Sequence, residues 1–427
     1  MNAQAPGRGA QLVTAGQRIG IGPQWLARVV TGGFHRILDR LDRGLAAGSL
    51  SFALPDGTTR LLGGRAAGFE AHVDLHDWRG LLRLATGGSV GGYQGWEQGE
   101  WSSPDPVALF AVLMANAATL GNVGRAAGPW RWVARRLHRL HRNTRKGAQR
   151  NIHAHYDLGN DFYAAWLGHT MAYSSAIFED LGTPSKFQKR LDLLDFSQLA
   201  KVTTIVNRAG LSAGDSVLEI GCGWGVQAFA LASTGAKVDA ISLSETQLAF
   251  CRERALASKP LIDFRKQDYR DVSGQYDAIV SVEMVEAVGQ EYWPDFFDCI
   301  ARNLKSGGRA VIQYIAIRDD LFDAYAASAD FIQTYIFPGG MLVRESAFRR
   351  LAAERGLEWQ DQACFGLHYA ETLGLWRQSF DVAVDEGRLP TGFDQRFVAL
   401  WRFYLMYCEG GFRGGGIDVA QVTLVKR

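Results

Sequence analysis

The chain is poor in cysteine and has no long apolar run. Its five cysteines stand at positions 222, 251, 299, 364 and 408, a spacing that matches neither a disulfide framework nor a metal site. The longest uninterrupted apolar run covers residues 107–115, whereas a helix that crosses a bilayer needs about 20 residues. Residues 1–20 lack the apolar core and the cleavage site of a secretory signal. These absences predict a reduced, cytoplasmic protein that does not span a membrane.

Charge of one sign is also scarce, because 46 basic and 44 acidic residues leave a formal net charge of only +2. Hydrophobic residues make up 47% of the chain and charged residues 21%, which is typical of a globular protein and excludes a largely disordered one. A chain of 427 residues is too long for one ordinary core, so we expect about two domains. The pattern of apolar, polar and charged residues changes twice along the chain and divides it into residues 1–125, 126–150 and 151–427.

Residues 1–125 are predicted to form a small α+β domain. Residues 49–54 and 69–75 alternate between apolar and polar side chains, as half-buried strands do, and the first run ends at a Pro-Asp-Gly turn. A helical stretch follows at residues 106–120. We expect this domain either to dock on a bilayer or to form the interface of a homodimer, and the sequence does not choose between the two.

Residues 126–150 are a basic connector. Apolar side chains recur in it at roughly helical spacing among a set of basic ones, namely Arg131, Arg135, Arg136, Arg139, Arg142, Arg145, Lys146 and Arg150. A basic amphipathic helix can lie on an anionic membrane surface, to which each Lys or Arg adds about 1 kcal/mol. The alternative is a solvated linker helix. A single basic stretch is too little to support nucleic-acid binding.

From residue 151 onward, predicted strands alternate with predicted helices. The strands cover residues 216–220, 237–241, 276–282 and 309–317, and an amphipathic helix covers residues 245–258. Such alternation is typical of a parallel sheet with helices on its faces. We therefore predict an α/β domain of the Rossmann-like type over residues 151–427.

A glycine-rich loop connects the first of these strands to the next helix. It begins at Glu219 and contains Gly221, Cys222, Gly223 and Gly225. The spacing G-x-G-x-G differs from the G-x-G-x-x-G of dinucleotide enzymes, which places pyrophosphate on a helix N-terminus. An acid two residues before the first glycine favours instead a ligand with an ammonium group, such as S-adenosylmethionine. The alternative is a tight strand-to-helix turn that binds no ligand.

The following strand ends supply candidate contacts for the rest of such a cofactor. The second strand ends in Ile-Ser-Leu-Ser instead of the acid that usually binds ribose, so Ser242 and Gln247 are the candidate ribose ligands. Asp268 and Tyr269 follow the third strand and provide an acid and a ring for an adenine. Asp268 has the alternative role of a helix cap.

Several motifs together resemble those of the cyclopropane-fatty-acyl-phospholipid synthases, a family that includes the mycolic acid cyclopropane synthases. They are residues 155–163 (HYDLGNDFY), 173–178 (YSSAIF), 219–225 (EIGCGWG), 284–289 (MVEAVG), 335–340 (YIFPGG), 368–373 (HYAETL) and 408–413 (CEGGFR). They cover nearly all of residues 151–427 in the family's order, and a looser likeness extends over residues 87–101. The resemblance implies a methyltransferase that uses S-adenosylmethionine on membrane phospholipid, with a tunnel for the acyl chain.

The resemblance also implies which residues contact the cofactor. Besides the glycine loop they are Tyr173, Ser174, Ser242, Gln247 and Tyr269. Tyr173, Ser174 and the glycine loop lie within the matching motifs, and the other three follow the predicted strands of the same domain.

Members of the family with the standard pattern hold a bicarbonate ion beside the reacting carbon and use it as the base. The resemblance assigns its ligands to a cysteine after Tyr-Ser, a glutamate, a histidine, a tyrosine and a C-terminal cysteine. This chain has Glu286, Tyr369 and Cys408 at three of these positions. Ser175 stands where the first cysteine would be, and Gln313 stands near where the histidine would be. Because two of the five ligands differ, the sequence leaves bicarbonate binding open.

Glu283 is a candidate for the missing base. It precedes Glu286 by three residues, at a position where many standard relatives have glycine. We predict that its carboxylate either substitutes for bicarbonate or repositions it, because two close carboxylates raise the pKa of one of them into a range that suits proton abstraction. The alternative is that Glu283 caps a helix or pairs with a cation.

The leading functional expectation is an enzyme that forms cyclopropane rings at the cis double bonds of phospholipid acyl chains. Methyl transfer to an alkene leaves a carbocation, and the proton that is then removed decides the product. The runner-up function is the same transfer giving methylene- or methyl-branched chains. A non-catalytic protein that binds lipid and cofactor is the alternative from another class. For an enzyme acting on phospholipid we expect peripheral association with the inner face of the membrane.

Overall fold

A computed structural model describes residues 8–15, 31–121, 158–181, 187–258, 260–328 and 330–427. The basic connector predicted at residues 126–150 lies outside the described residues. The described chain divides into two compact units. The first combines the residues up to 121 with Arg318–Pro338 and Thr391–Ile417, and the second combines residues 158–317, Gly339–Pro390 and Asp418–Arg427. This grouping differs from the single domain predicted over residues 151–427, because two C-terminal segments pack with the N-terminal elements.

The first unit is built on a small sheet in the order β2-β1-β3-β4. Its strands are β1 (Ser49–Ala53), β2 (Thr59–Gly63), β3 (Glu70–Leu75) and β4 (Trp101–Ser102). Its N-terminal helices are α1 (Ala10–Ala15), α2 (Thr31–Gly44), α3 (Trp78–Glu97), α4 (Pro106–Ala115) and α5 (Ala117–Leu120). Leu50 and Phe52 are buried while their neighbours in β1 are half-exposed, as the alternation of the sequence predicts. The two strands and the helix predicted here are confirmed.

The C-terminal segments of the first unit are mostly helical. They contain the helix Asp319–Ala326, a π-helical turn at Ile332–Ile336 and the long helix Gln395–Arg413. The long helix packs closely on α4, because a Cβ atom at Gly410 would lie only 2.4 Å from Cβ of Phe110. The glycines of the CEGGFR motif therefore serve the packing of this unit.

The second unit contains a seven-stranded sheet flanked by helices. Its strands are β5 (Ser216–Ile220), β6 (Lys237–Ser242), β7 (Ile262–Lys266), β8 (Tyr276–Val282), β9 (Leu304–Ile317), β10 (Leu357–Cys364) and β11 (Ile417–Lys426). Its helices are α6 (Asn160–Ala164), α7 (Phe187–Ala209), α8 (Val226–Ala232), α9 (Glu245–Ser258), α10 (Trp293–Asn303), α11 (Glu345–Ala353) and α12 (Gly366–Asp385). The strand order is β10-β11-β9-β8-β5-β6-β7. The run from β9 to β7 is parallel, and β10 pairs antiparallel with β11.

The parallel part of this sheet confirms the predicted Rossmann-like α/β fold. Strands β5 and β8 and helix α9 have the predicted bounds, and β6 and β9 are slightly longer than predicted. Val217, Leu218 and Ile279 are fully buried, because helices cover both faces of the sheet. The carboxyl ends of β5, β6 and β8 share one edge, where such folds bind their ligands. No helix among the described residues is long and apolar enough to cross a membrane.

Candidate cofactor and catalytic site

A cavity lies at the carboxyl ends of β5, β6 and β8, where the sequence predicts a cofactor. The predicted cofactor residues that line it are Tyr173, Ser174, Glu219, Gly221, Cys222, Gly223, Ser242, Gln247, Asp268 and Tyr269. Gly225 is the one predicted cofactor residue that does not line it. Glu283 lines the same cavity, so one space contains both the predicted cofactor contacts and the predicted base.

Backbone conformation explains the glycines of the loop. Gly221, Gly223 and Gly225 have φ angles of 88°, 52° and 87°, a region that favours glycine. A Cβ atom at Gly221 would also lie 2.8 Å from Cγ of Met284. Gly225 is the N-cap residue of α8. Gly225 therefore shapes the loop through its backbone and does not contact the cavity.

Glu219 is the buried acid at the end of β5. It is 2% exposed, and its Oε2 atom has no hydrogen-bond partner among the described residues. Burial raises the pKa of this carboxyl to about 8, although the positive charge of Lys201 opposes the rise. A buried acid without a hydrogen-bonded partner is a costly feature that a cationic ligand would relieve.

Two buried amides on the ribose side of the cavity also have unsatisfied atoms. Ser242 donates to Oε1 of Gln247 over 3.4 Å, which leaves Nε2 of Gln247 without a partner among the described residues. Gln227 of α8 lines the cavity as well, and both of its amide atoms lack a partner in that same set of residues. Leaving such groups unpaired costs about 1–3 kcal/mol each, so they fit a polar ligand.

Asp268 and Tyr269, which follow β7, differ in their hydrogen bonding. Asp268 accepts hydrogen bonds from the backbone N–H of Arg270 and from its Nε and Nη2, at 3.0, 2.8 and 2.6 Å. It is also the N-cap residue of the short 3-10 helix Tyr269–Asp271, so the predicted alternative of a cap is confirmed. The hydroxyl of Tyr269 is buried and has no partner among the described residues. Burial raises the pKa of this hydroxyl, so it stays a donor.

Aromatic rings enclose the side of the cavity formed by Tyr173. Its ring lies 5.5 Å from that of Tyr163, 5.9 Å from Trp166 and 5.4 Å from Trp376. Trp376 also packs edge-on against Tyr369 at 6.1 Å. This packing holds the ring of Tyr173, which lines the cavity and can stabilise a nearby cation.

The carboxylate of Glu283 is bound by three of the residues predicted to be at the bicarbonate site. Its Oε1 accepts from the backbone N–H of Ser175 at 3.0 Å and from Nε2 of Gln313 at 2.7 Å. Its Oε2 accepts from the hydroxyl of Tyr369 at 2.7 Å. Gln421 fixes the amide of Gln313 by donating to its Oε1 at 2.9 Å. Ser175, Gln313 and Tyr369 therefore converge on a carboxylate of the chain, and their assignment to the catalytic set stays a prediction.

The backbone conformation at Glu283 bears on the alternative that this residue caps a helix. Its φ is 48°, a conformation that costs a non-glycine residue free energy and that explains why glycine suits this position. The short 3-10 helix Val285–Ala287 has Met284 as its N-cap, with no side-chain cap. The alternative that Glu283 caps a helix is therefore wrong, because the residue precedes the cap and its carboxylate points to Ser175, Gln313 and Tyr369 instead.

Glu286 is the second buried acid of the pair. Its Oε1 accepts from the backbone N–H of Ile315, and its Oε2 has no partner among the described residues. Burial, and then the charge of Glu283, raise the pKa of Glu286 to about 8, so this carboxyl is mostly protonated at neutral pH. The charge of Glu283 thus acts on Glu286 in the predicted direction, as a smaller cause than burial.

Cys408 belongs to the first compact unit, on the helix Gln395–Arg413, and the other five predicted catalytic residues belong to the second. It is half-buried, and burial, followed by the charge of Asp330, raises the pKa of its thiol. A thiol with a raised pKa is a poor nucleophile, which agrees with a role as a ligand or packing residue. Its assignment to the catalytic set stays a prediction.

Sequence reasoning missed several residues of the cavity, of which Lys201 and Gln227 are the most polar. Lys201 follows Leu194 and Gln198 on the buried face of α7. The sequence signal for it was a charged residue at the helical spacing of buried positions. Gln227 falls at the second position of α8, where a buried polar side chain follows the glycine loop. The motif residues 155–157 lie outside the described residues.

The unpartnered groups match the parts of S-adenosylmethionine. Glu219 can hold the ammonium group, Gln247 can donate to a ribose hydroxyl and Tyr269 can meet the adenine. The parallel sheet, the glycine loop and this cavity define an S-adenosylmethionine-dependent methyltransferase.

The chain belongs to the family described as mycolic acid cyclopropane synthetase, whose family model matches residues 143–422. It is 37% identical over 361 residues to the tuberculostearic acid methyltransferase UfaA1 of Mycobacterium tuberculosis, a match that covers 81% of this chain and 80% of that protein. It is 34% identical over 272 residues to the cyclopropane-fatty-acyl-phospholipid synthase of Escherichia coli K12, covering 63% and 66%. The chain is therefore a C-methyltransferase.

Solved structures agree with this assignment. A structure of the mycolic acid cyclopropane synthase CmaA1 complexed with S-adenosylhomocysteine (SAH) and CTAB matches with a TM-score of 0.58 and 27% identity, covering 65% of this chain and 98% of that chain. The cyclopropane synthase MmaA2 of Mycobacterium tuberculosis gives the same TM-score, identity and coverage. Coclaurine N-methyltransferase, at 18% identity and a TM-score of 0.57, shares the fold alone.

Replacing Glu219 by Gln tests the cofactor end of the cavity. Loss of a hydrogen bond to a charged group costs about 1.5–3 kcal/mol, so the affinity for SAH should fall roughly 10- to 100-fold. The pKa of Glu219 is about 8, so a larger fraction of this carboxyl is ionised as the pH increases toward that value. The affinity of the wild-type protein for SAH should therefore rise with pH over this range. The variant should lose this pH dependence. Calorimetry across pH measures both effects. Glu253→Gln, at an exposed position of α9, is the control, and equal affinity in all three proteins would contradict the assignment.

Proposed function

We propose that the protein transfers the methyl group of S-adenosylmethionine to a double bond of an unsaturated phospholipid acyl chain, and that the product is a methylene- or methyl-branched chain. The observation that carries the proposal is the carboxylate of Glu283, bound by Ser175, Gln313 and Tyr369. The identity of 37% with a tuberculostearic acid methyltransferase supports the branched product. Cyclopropane formation is the second candidate, favoured by the similarity to the synthase of Escherichia coli.

The residues around the cavity would hold the cofactor by its polar ends. S-adenosylmethionine supplies a methyl group on a positively charged sulfur, which an alkene can attack. Glu219 would bind the ammonium group, and Ser242 with Gln247 would bind the ribose. Tyr173 and Trp376 would exclude water from the reacting atoms, because water would quench a carbocation.

Glu283 replaces bicarbonate as the proton acceptor in this proposal. The N–H of Ser175 and the amide N–H of Gln313 can only donate, so they favour the ionised form of the carboxylate. Burial opposes ionisation and raises the pKa of Glu283. A separate anion would have to displace Glu283 from all three of its donors. Glu286, with its pKa near 8, is mostly protonated and cannot accept the proton at neutral pH.

The position of this base bears on the product. After the methyl group joins one olefinic carbon, the positive charge lies on the neighbouring carbon. Immediate loss of a methyl proton closes a cyclopropane ring. A 1,2-hydride shift moves the charge to the carbon that carries the methyl group, and loss of a methyl proton then gives a methylene branch on the chain. Loss of a proton from the chain gives a methyl-branched alkene. Three hydrogen bonds fix the position of the carboxylate, and the proton within its reach decides between these products.

The proposal includes association of the protein with the membrane surface, because the substrate acyl chain lies in a bilayer. Helix α7 exposes Leu193, Phe196 and Leu199 on one side, and the exposed positions from Leu193 to Thr203 bear no charge. We infer that this face enters the bilayer.

The function is tested by lipid analysis after expression in a host that lacks its own synthase. Unsaturated phospholipids should gain the mass of one CH2 group, and SAH should form in equal amount. Hydrogenation separates the products, because a methylene or alkene group takes up hydrogen more readily than a cyclopropane does, and fragmentation locates the branch. We expect a branched chain. A cyclopropane as the main product would reject the branched assignment, and no lipid change together with no SAH would reject the function.

The role of Glu283 is tested with Glu283→Gln and Glu283→Gly, each assayed with bicarbonate depleted and then restored. A general base contributes roughly 10²- to 10⁴-fold, so Glu283→Gln should lose about that much turnover and wild type should ignore bicarbonate. Glu283→Gly relieves the positive φ and frees three donors, so bicarbonate should restore part of its activity. Unchanged turnover in Glu283→Gln, or a wild-type enzyme that needs bicarbonate, would remove Glu283 from the mechanism.

Membrane docking is tested by replacing Leu193, Phe196 and Leu199 together with Ser. Each buried apolar side chain contributes about 1.5–3 kcal/mol, so binding to vesicles of unsaturated anionic phospholipid should fall at least about tenfold. Co-sedimentation measures the bound fraction. Leu256→Ser, at an isolated exposed leucine of α9, should bind as wild type does. Equal binding by the triple variant would place the docking surface elsewhere.

A further inference from the structure

Lys201 is a buried cation that neither the sequence motifs nor the reaction chemistry accounts for. It lies on α7, is 2% exposed and lines the cofactor cavity. Burying a lysine is costly unless charges and hydrogen-bond acceptors compensate it, so its surroundings indicate what it does.

The hydrogen bonds of Lys201 are directed to the turn that carries Tyr173, Ser174 and Ser175. Its Nζ donates to Oγ of Ser174 at 2.7 Å. Gln198, on the same face of α7, donates to the backbone carbonyl of Ser174 at 2.8 Å. Two side chains of one helix therefore hold one residue, and the next residue, Ser175, donates its N–H to Glu283.

The charge of Lys201 acts on acids at both ends of the cavity. It lowers the pKa of Glu219, at the cofactor end, and that of Glu283, at the catalytic end. Burial lowers the pKa of Lys201 itself to about 8, and the charges of the two acids oppose that fall. Arg270 is the other cation among the described residues that line the cavity, and it is paired with Asp268 at 2.6 Å.

We propose that Lys201 is a positioning residue for the reaction. Through Ser174 it holds the turn that places the N–H of Ser175 on the Glu283 carboxylate, and its charge faces both that carboxylate and the cofactor acid Glu219. The inference rests on the proposed function, because it assigns Lys201 a part in keeping Glu283 ready to accept a proton.

This arrangement has a consequence for turnover. Transfer of the methyl group moves the positive charge from the cofactor sulfur to the lipid chain, and transfer of a proton from that carbocation to Glu283 then neutralises both. The protonated carboxyl must lose its proton before the next cycle, and a nearby cation favours its ionised form. Lys201 provides that charge throughout the reaction. The titratable groups that face Glu283 are Lys201, Tyr369 and Glu286, and of these Lys201 carries the positive charge.

The test compares Lys201→Met, Lys201→Arg and Ser174→Ala with wild type, and Lys237→Met, at an exposed position of β6, is the control. Methionine fills the buried space without charge, so the variant should fold, and thermal unfolding checks this. Each protein is assayed for SAH formation with vesicles of unsaturated phospholipid at saturating cofactor, from acid to neutral pH. SAH affinity is measured separately by calorimetry.

Removing the charge should raise the pKa of Glu283, so the acid limb of kcat in Lys201→Met should move up by about one pH unit or more. At pH values below the pKa of Glu283, kcat of Lys201→Met should be on the order of tenfold lower than that of wild type. One unit of pKa changes the ionised fraction of the carboxylate about tenfold there. Lys201→Arg should keep the wild-type limb. Ser174→Ala should lower kcat without moving the limb, because it breaks the hydrogen bond and leaves the charge.

Two outcomes would overturn the inference alone. One is a wild-type pH profile and kcat in folded Lys201→Met. The other is a loss confined to SAH affinity, with kcat at saturation unchanged. A wild-type protein that forms no SAH with any unsaturated phospholipid would instead reject the proposed function, and the inference with it.

Discussion

A buried carboxylate must be surrounded by donors, and the account of this protein depends on how that requirement is met at Glu283. Its two oxygens receive hydrogen bonds from the turn after Tyr173, from β9 through Gln313 and from α12 through Tyr369. Three separate parts of the second unit are thereby joined at one group. The positive φ of Glu283 directs its carboxylate to that point at a cost that the donors offset. A bound anion in standard relatives would be exchanged for an anion that is part of the chain.

The cofactor end and the catalytic end of the cavity share structural supports. The parallel strands place the glycine loop, Ser242 and Glu283 along one edge of the sheet, so the cofactor and the base meet there. Helix α7 adds Lys201 and Gln198 behind the turn at Ser174. The rings of Trp166 and Trp376 pack against Tyr173, which lines the cavity. Such a site suits a reaction that passes through a carbocation.

Much of the second unit could be predicted, because its signals are local. Strands β5 and β8 are short apolar runs beside glycines, and the loop after β5 has an unambiguous spacing. Ser175, Gln313 and Tyr369 could be grouped only through the resemblance to the family, because they are distant in sequence. The sequence could not show that Glu283 precedes the cap of the short helix, since φ depends on tertiary contacts. The sequence also could not show that residues 391–417 pack within the first unit, because that packing joins residues distant in sequence. Lys201 was missed because a lysine in an amphipathic helix usually faces water.

The most direct test of the central claim is a crystal structure of the wild-type protein with SAH, grown in the presence of bicarbonate. The account predicts the Glu283 carboxylate between Ser175 N, Gln313 Nε2 and the Tyr369 hydroxyl, with no separate anion there. A planar bicarbonate ion held by these three groups, with Glu283 turned away from them, would contradict it.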